Sequence, residues 1–193
     1  MLCWHYTIHS PEGEYLLPDY HKNKNRALPY IEILRRSEQL MIRHLESERA
    51  KLISSDYSSM AAEDRQNPDK WAAEAVFETM RQKLQEVPSV SRLNCVYLCR
   101  TKEMAVRMAE EDWIIAAGMK KEDITLLECE PEETGLFSYD TRYFDEAYRA
   151  LEHNDVHRAA KYAELYWKDH RSPAEYEEML SGSPVRILRK ASF

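Results

Sequence analysis

Glycine is scarce in this chain, with only four glycines among 193 residues. Neither GxGxxG nor GxxxxGKS/T occurs, and these are the loops in which Rossmann and P-loop proteins hold the phosphates of a nucleotide. The sequence therefore disfavours both kinds of nucleotide site. It also contains no internal repeat and no low-complexity tract. Because this length suffices for a sizeable core, we expect one domain over residues 1–193.

Cysteine is also sparse, and its spacing lacks the pattern of a zinc site. The cysteines form no CxxC pair and no Cys/His finger spacing, so we expect no metal site. Each cysteine lies in or beside an apolar, strand-like segment. This placement predicts reduced, buried thiols and is consistent with a cytoplasmic protein. The cysteines are Cys3, Cys95, Cys99 and Cys129.

Positive charge is not in excess, since 27 basic residues face 34 acidic ones and the formal net charge is -7. This balance argues against broad, charge-driven binding to nucleic acid or to an anionic membrane. No apolar run approaches the ~18 residues of a membrane span. The N-terminus, MLCWHYTIHSPEGEY, lacks the charged lead and long apolar core of a secretory signal. We therefore expect no membrane partner, and we disfavour nucleic acid as a partner.

The hydrophobic pattern predicts an α+β chain. The predicted strands are residues 2–8, 93–99, 124–130 and 185–188, and the predicted helices are residues 29–53, 67–87, 102–117, 141–151 and 155–167. Pro29 suits the first turn of the first helix. Thr101 is the expected N-cap of the third helix, and Gly118 is its expected stop. Because the strands are far apart in the chain, we expect a small sheet with a long helical insert, about residues 29–87, packed against it.

Two short segments are predicted to lie outside strands. Residues 135–139 are expected to be irregular, and Ser172-Pro173 is expected to begin a short helix or turn that leads into Glu177 and Glu178. On the first strand, His5 shares a face with small or polar neighbours, while the bulkier residues occupy the opposite face. We therefore expect His5 to point away from the thicker apolar side, as a surface or hydrogen-bonded histidine.

The strand of residues 93–99 carries Tyr97 just ahead of a capped helix. A tyrosine there suits the face of a flat ligand, and a core tyrosine fits the same pattern equally well. Arg92, at the entrance to this strand, is a candidate for contact with a phosphate, although an exposed ion pair is the favoured interpretation. Glu74 and Glu78 fall on a helix face that either is solvated, which we favour, or lines a cleft.

Three of these segments together resemble the ADP-ribosyltransferase superfamily, in its histidine/tyrosine/glutamate branch. WHYTI around His5 is similar to the first, histidine-bearing strand of that branch. CVYLCRTKEMAVRMA around Tyr97 resembles its tyrosine strand, followed by a turn and an alanine-containing helix. EEMLSGSPVRIL is similar to its late acidic position, with Glu178 standing before Met179-Leu180. The arginine and Ser-x-Ser signals of the cholera-toxin-like branch do not occur in the sequence.

A second resemblance covers roughly the last 110 residues. The segments PSVSRLNCVYLC, AELYW and EEML are similar to a bacterial domain family of unknown function that carries a PSRL-type strand.

The ADP-ribosyltransferase resemblance implies a small, split mixed sheet of that type, with NAD bound as a co-substrate in a cleft between two small sheets. It implies that His5 holds the adenosine-side ribose and that Tyr97 stacks on the nicotinamide. Glu178 would bond to the 2′-hydroxyl of the nicotinamide ribose and stabilise the cationic transition state. Glu175 and Glu177 lie close enough in the sequence to compete with Glu178 for that role.

The implied activity is transfer of ADP-ribose to a macromolecular target, with protein favoured over nucleic acid, as in an effector, a toxin or a phage-borne modifier. The alternative is a catalytically inactive interaction protein on a similar scaffold, which would act through the helical insert and the aromatic helices near the C-terminus. One structural expectation separates the two hypotheses. An enzyme needs His5, Tyr97 and Glu178 to line one pocket, whereas an interaction protein does not. The sequence carries no signal for the oligomeric state.

Overall fold

The computed structural model describes residues 1–9, 11–18, 23–56, 59–60, 67–169 and 176–193, and within them the chain is α+β as expected. The strands are β1 (Cys3–Thr7), β2 (Tyr15–Leu16), β3 (Val96–Leu98), β4 (Thr125–Glu130), β5 (Leu136–Asp140), β6 (Glu177–Ser181) and β7 (Val185–Ala191). The α-helices are α1 (Asn23–Arg36), α2 (Glu38–Ser54), α3 (Pro68–Lys83), α4 (Lys102–Ala109), α5 (Thr141–Glu152) and α6 (Val156–Lys168). A π-helical segment, Glu110–Ile115, continues α4.

The strands form two small sheets that meet at one junction. The first sheet has the order β1-β4-β7-β2 and the second has the order β3-β6-β5. At the junction, Trp4 of β1 and Cys99, just after β3, exchange backbone N–H···O bonds of 2.8 and 2.7 Å. β6, β3 and β1 therefore follow one another across the junction. Every pairing among the described strands is antiparallel, so the expected mixture of strand directions is wrong.

Two strands of the second sheet differ from the prediction. Residues 136–140 form β5 rather than an irregular piece, and residues 177–181 form β6 rather than the end of a helix or turn. β6 lies between β3 and β5, and all of its residues are buried. Such a strand shows no alternation of polar and apolar residues, so periodicity does not identify it. Ser172 and Pro173 lie outside the described residues.

The predicted helix over residues 29–53 is two helices. α1 begins earlier, at Asn23, and contains Pro29 in its interior rather than in its first turn. α2 begins after Ser37, whose side-chain oxygen accepts a hydrogen bond of 3.2 Å from the Gln39 N–H. This serine N-cap satisfies a backbone donor at the start of α2. The apolar spacing continues from α1 into α2, so spacing alone does not reveal the break between the two helices.

α3 is the central helix of the main core. It begins as predicted, with Pro68 as its first residue and the Asn67 side chain accepting a 3.0 Å hydrogen bond from the Asp69 N–H. It packs against α1, α5 and α6, so the helical insert is part of the core rather than an appendage. Glu74 and Glu78 are only 2% and 6% exposed. The prediction that Glu74 and Glu78 lie on a solvated face is therefore wrong. Helices surround α3 on several sides, and arginines pair with both acids.

The segment after β3 follows the prediction at both ends. Thr101 caps α4 by accepting a 3.2 Å hydrogen bond from the Met104 N–H. Gly118 has φ +65°, a left-handed conformation that suits the stop of a helix. Between them the helix widens into the π-helical segment, where the Tyr6 hydroxyl donates to Asp112 at 2.8 Å. This bond ties the segment to β1.

The faces of β1 are reversed relative to the expectation. Cys3, His5 and Thr7 are buried, whereas Trp4 and Tyr6 are half-buried. The reason is the second sheet, since Cys3 packs in a core cluster that includes residues of β3 and β6. All four cysteines are free and buried, which confirms the prediction of reduced, buried thiols. In the part of the chain that the structure describes, no helix combines the length and apolarity needed to cross a membrane.

Candidate functional site

A cavity of about 320 Å³ lies beside the junction of the two sheets. β1 contributes His5, β3 contributes Tyr97, β6 contributes Glu178, and the loop before β3 contributes Arg92. The four residues singled out in the sequence thus line one cavity. They meet although they come from both ends and the middle of the chain, because β6, β3 and β1 are neighbours across the sheet junction.

Arg92 is the centre of a buried charge network. Its guanidinium donates to both carboxylate oxygens of Glu74 at 3.0 Å and also to Glu178. The Tyr166 hydroxyl accepts from Arg92 at 2.9 Å and donates to Glu178 at 2.7 Å. Arg92 is only 5% exposed, so the exposed ion pair favoured for it is wrong. The expected phosphate contact of Arg92 stays a prediction, but the observed contacts make Arg92 a residue that positions Glu178.

Burial and ion pairing act in opposite directions on this network. Burial raises the pKa of the Glu178 carboxyl above its usual value, and the charge of Arg92 offsets only part of that rise. Burial alone would lower the pKa of Arg92, but the Glu178 and Glu74 carboxylates outweigh it and hold that pKa well above its ordinary value. The guanidinium carbon also lies 4.2 Å from the ring centre of Phe144 and 5.2 Å from that of Tyr97. Arg92 is therefore a cation stabilised by carboxylates and rings.

His5 and Tyr97 are joined by a hydrogen bond across the sheet junction. His5 Nδ1 lies 2.8 Å from the backbone oxygen of Tyr97. A carbonyl only accepts, so Nδ1 carries the proton and Nε2 has acceptor character. Burial lowers the pKa of His5 to about 4, so the ring is neutral near pH 7. His5 is thus hydrogen-bonded, as one of the two expectations held, but it is not at the surface.

The Tyr97 side chain is fixed at its hydroxyl end. The hydroxyl donates to the backbone oxygen of Arg92 at 2.6 Å, and the Arg92 guanidinium covers one side of the ring. The ring is therefore held in place by Arg92 at its hydroxyl end and on one face.

β6 separates the two neighbouring acids, because successive side chains of a strand point to opposite faces. Glu178 faces the cavity and Arg92. Glu177 faces away and accepts from Arg100 at 2.5 and 2.8 Å. This geometry favours Glu178 over Glu177 as the functional acid, whereas Glu175 lies outside the described residues.

Sequence reasoning missed two members of the network, Glu74 and Tyr166. The helical pattern favours a solvated face for Glu74 over a cleft, although Glu74 does line the cavity, and it does not single out Tyr166. A signal for Glu74 is nevertheless present, because it lies in the run WAAEAVF of α3. An acid flanked on both sides by small and apolar residues of one helix has little room for solvent and needs a buried partner. Tyr166 carries no comparable local signal.

Asp145 of α5 also lines the cavity. Burial, with a further contribution from the Glu178 charge, raises its pKa from 3.8 to about 6. A raised pKa means that folding favours the protonated acid. The stability contributed by Asp145 is therefore fully present below about pH 3.8 and is lost as the pH rises through about 6.

Asp145 is exposed, so solvent screens much of this effect. We therefore expect Asp145→Asn to be more stable than the wild type at pH 7 by less than about 1 kcal/mol, and to gain almost nothing at pH 4. His5 has the opposite effect, since its lowered pKa makes stability fall as the pH decreases from about 6.5 to about 4. That contribution is common to both proteins and cancels in their difference. Urea unfolding of both proteins between pH 4 and 7 measures this difference. A constant difference across the range would contradict the prediction.

The cavity chemistry suits a polar ligand with a ring. The cavity is lined by a neutral histidine, by a tyrosine, and by a carboxylate held in place by Arg92. Among the described residues, no group of three or more His, Cys, Asp or Glu could hold a metal ion. The volume of about 320 Å³ is at the lower end of the ~300–1,000 Å³ of small-molecule sites.

The fold and the site define an α+β protein whose polar cavity, with a buried Glu–Arg–Glu network, lies where two small antiparallel sheets meet. The chain belongs to the DUF2441 family, described as a protein of unknown function, whose family model matches residues 12–192. No curated protein matches the chain significantly.

Proposed function

We propose that this protein transfers ADP-ribose from NAD to a macromolecular target, with protein as the favoured target class. The observation that carries the proposal is the presence of His5, Tyr97 and Glu178 around one cavity beside the junction of two small sheets. The resemblance to the ADP-ribosyltransferase superfamily attributes NAD binding and catalysis to these same positions. They lie on neighbouring strands in the chain order that the resemblance implies.

Each of the three residues offers a group that suits one part of the reaction. An aromatic ring such as that of Tyr97 suits a flat nicotinamide, and a histidine such as His5 suits the hydroxyls of a ribose. The Glu178 carboxylate favours the positive charge that develops on the ribose. In the reaction, the bond between ribose C1′ and the nicotinamide nitrogen breaks, and nicotinamide leaves as a neutral molecule with the bonding electrons. A nucleophile of the target then bonds to C1′ and releases its proton to solvent.

The direct test incubates the wild-type protein and Glu178→Gln with labelled NAD and a cell lysate. We expect nicotinamide release and labelled macromolecules from the wild type, and a strong reduction of both from Glu178→Gln. Equal label or nicotinamide from the two proteins would remove Glu178 from the mechanism. If the wild type neither bound NAD nor turned it over, the proposed function as a whole would be wrong.

One observation favours the alternative, an inactive interaction protein. Glu178 is already engaged by Arg92 and Tyr166, and a carboxylate in such a network has a structural role available to it. Under this alternative, wild type and Glu178→Gln behave alike toward NAD because neither binds it. The same incubation therefore separates the two hypotheses.

A further inference from the structure

We propose that Arg26 and Lys70, which lie beside Trp71 in the wall of the cavity, bind the diphosphate group of a nucleotide. The Arg26 guanidinium carbon is 5.7 Å from the centre of the Trp71 ring, and Lys70 Nζ is 6.0 Å from it. All three residues line the cavity. The inference deepens the proposed function and rests on it, because it names the residues that meet the diphosphate of NAD.

Arg92 is poorly suited to that task in spite of its charge. Its guanidinium is directed to Glu74, Glu178 and Tyr166, and the two carboxylates more than balance one positive charge. A phosphate beside Arg92 would therefore meet a net negative surrounding and would compete with buried partners.

Lys70 is better placed, because its ion pair is solvated and long. Lys70 Nζ lies 3.5 Å from the Asp112 carboxylate, and the two side chains are 25% and 37% exposed. Such partly exposed pairs contribute little to stability. Lys70 can thus exchange Asp112 for a phosphate at small cost, which the buried Arg92 cannot do. Asp112 competes with the anion, so its removal should strengthen anion binding.

α3 sets the spacing between the two ends of the cavity. Glu74 and Lys70 lie one turn apart on this helix, or about 6 Å along its axis at 1.5 Å per residue. That rise is on the scale of a ribose with its 5′ substituent. A ribose near Glu178 and Arg92 would therefore direct its phosphates toward Lys70 and Arg26. The N-terminal end of α3, at Asn67, also lines the cavity and adds partial positive charge to that end.

The test measures binding of ADP by isothermal titration calorimetry, with inorganic pyrophosphate as a competitor. We expect the wild type to bind ADP, pyrophosphate to compete, and Arg26→Gln and Lys70→Gln each to weaken ADP binding by ~10-fold. Asp112→Asn should bind ADP more tightly than the wild type. Lys102→Gln is the matched control, since Lys102 Nζ lies 5.8 Å from the centre of the Trp4 ring but does not line the cavity. Thermal unfolding followed by circular dichroism verifies that each variant is folded.

The outcomes separate this inference from the proposed reaction. No ADP binding by the wild type, or unchanged binding by Lys70→Gln and Arg26→Gln, overturns the diphosphate site. An equal loss in Lys102→Gln overturns it as well, because the effect would then be one of overall charge. ADP binding that depends on Arg26 and Lys70, without nicotinamide release from NAD, supports the site and contradicts the reaction. Nicotinamide release with an unchanged KM for NAD in both variants supports the reaction and contradicts the site.

Discussion

Arg92→Met is expected to lower the free energy of unfolding by about 3–5 kcal/mol at pH 7. The substitution removes the cation that lies between Glu74 and Glu178, and both acids are almost fully buried. Two carboxylates would then be left without their ion-pair partner in a site largely shielded from water, where their mutual repulsion is strong. Urea unfolding followed by circular dichroism measures the loss. Arg92→Lys keeps the charge but not the two-pronged contact with Glu74, so a smaller loss is expected from it.

The triple variant Glu74→Gln/Arg92→Met/Glu178→Gln tests whether unpaired carboxylates cause the stability loss of Arg92→Met. With no buried charge left, this protein should recover most of the stability that Arg92→Met loses. Lower pH should also reduce the stability loss of Arg92→Met. The pKa of Glu178 is already above its usual 4.5 in the folded protein, and the loss of Arg92 raises it further. The part of the stability loss in Arg92→Met that comes from the Glu178 charge is therefore absent below about pH 4.5 and grows as the pH rises. A triple variant as unstable as Arg92→Met would show that packing, not charge, is responsible.

The same network shows what the sequence could and could not predict. Capping chemistry is local, so Asn67-Pro68, Thr101 and Gly118 were predictable from a few neighbouring residues. The strand with Tyr97 was predictable too, although only Val96–Leu98 of the expected segment is regular strand. These predictions depend on interactions within one turn of the chain, where spacing alone carries the information.

The elements that the sequence did not predict depend on tertiary contacts. β6 contains two acids and is buried throughout, which local patterns do not predict, because the stabilising arginines lie far away in the sequence. Glu178 pairs with Arg92, and Glu177 pairs with Arg100 on the opposite face. The run WAAEAVF indicates that Glu74 is buried, but it does not identify Arg92 as its partner. A buried ion pair adds no periodicity to either strand or helix, so only the three-dimensional arrangement identifies it.

The resemblance nevertheless selected residues that periodicity could not. It singled out His5, Tyr97 and Glu178 from three distant segments, and these residues line one cavity. What it did not supply is their surroundings. Arg92 holds Glu178 rather than standing exposed, and Tyr166 donates a second hydrogen bond to the same carboxylate.

Glu178→Gln is expected to lower kcat for nicotinamide release by about 10²–10³-fold while the KM for NAD changes little. The amide keeps the size of the side chain but loses the charge that, in the proposed reaction, stabilises the cationic transition state. Arg92 retains its two contacts with Glu74, so the variant should remain folded. The wild-type kcat should also fall on acidification as Glu178 takes up a proton, with the midpoint above the usual 4.5 because burial raises its pKa.

Glu177→Gln is the matched control for this prediction. The same chemical change is made one residue earlier on β6, on the face that pairs with Arg100 and does not line the cavity. We expect this variant to keep a kcat close to that of the wild type. If the two variants lost activity equally, the loss would reflect disruption of β6 rather than the charge at the cavity. If only Glu178→Gln lost kcat, and with an unchanged KM, the carboxylate would act on the transition state itself, since a residue that merely held the substrate would alter its binding instead.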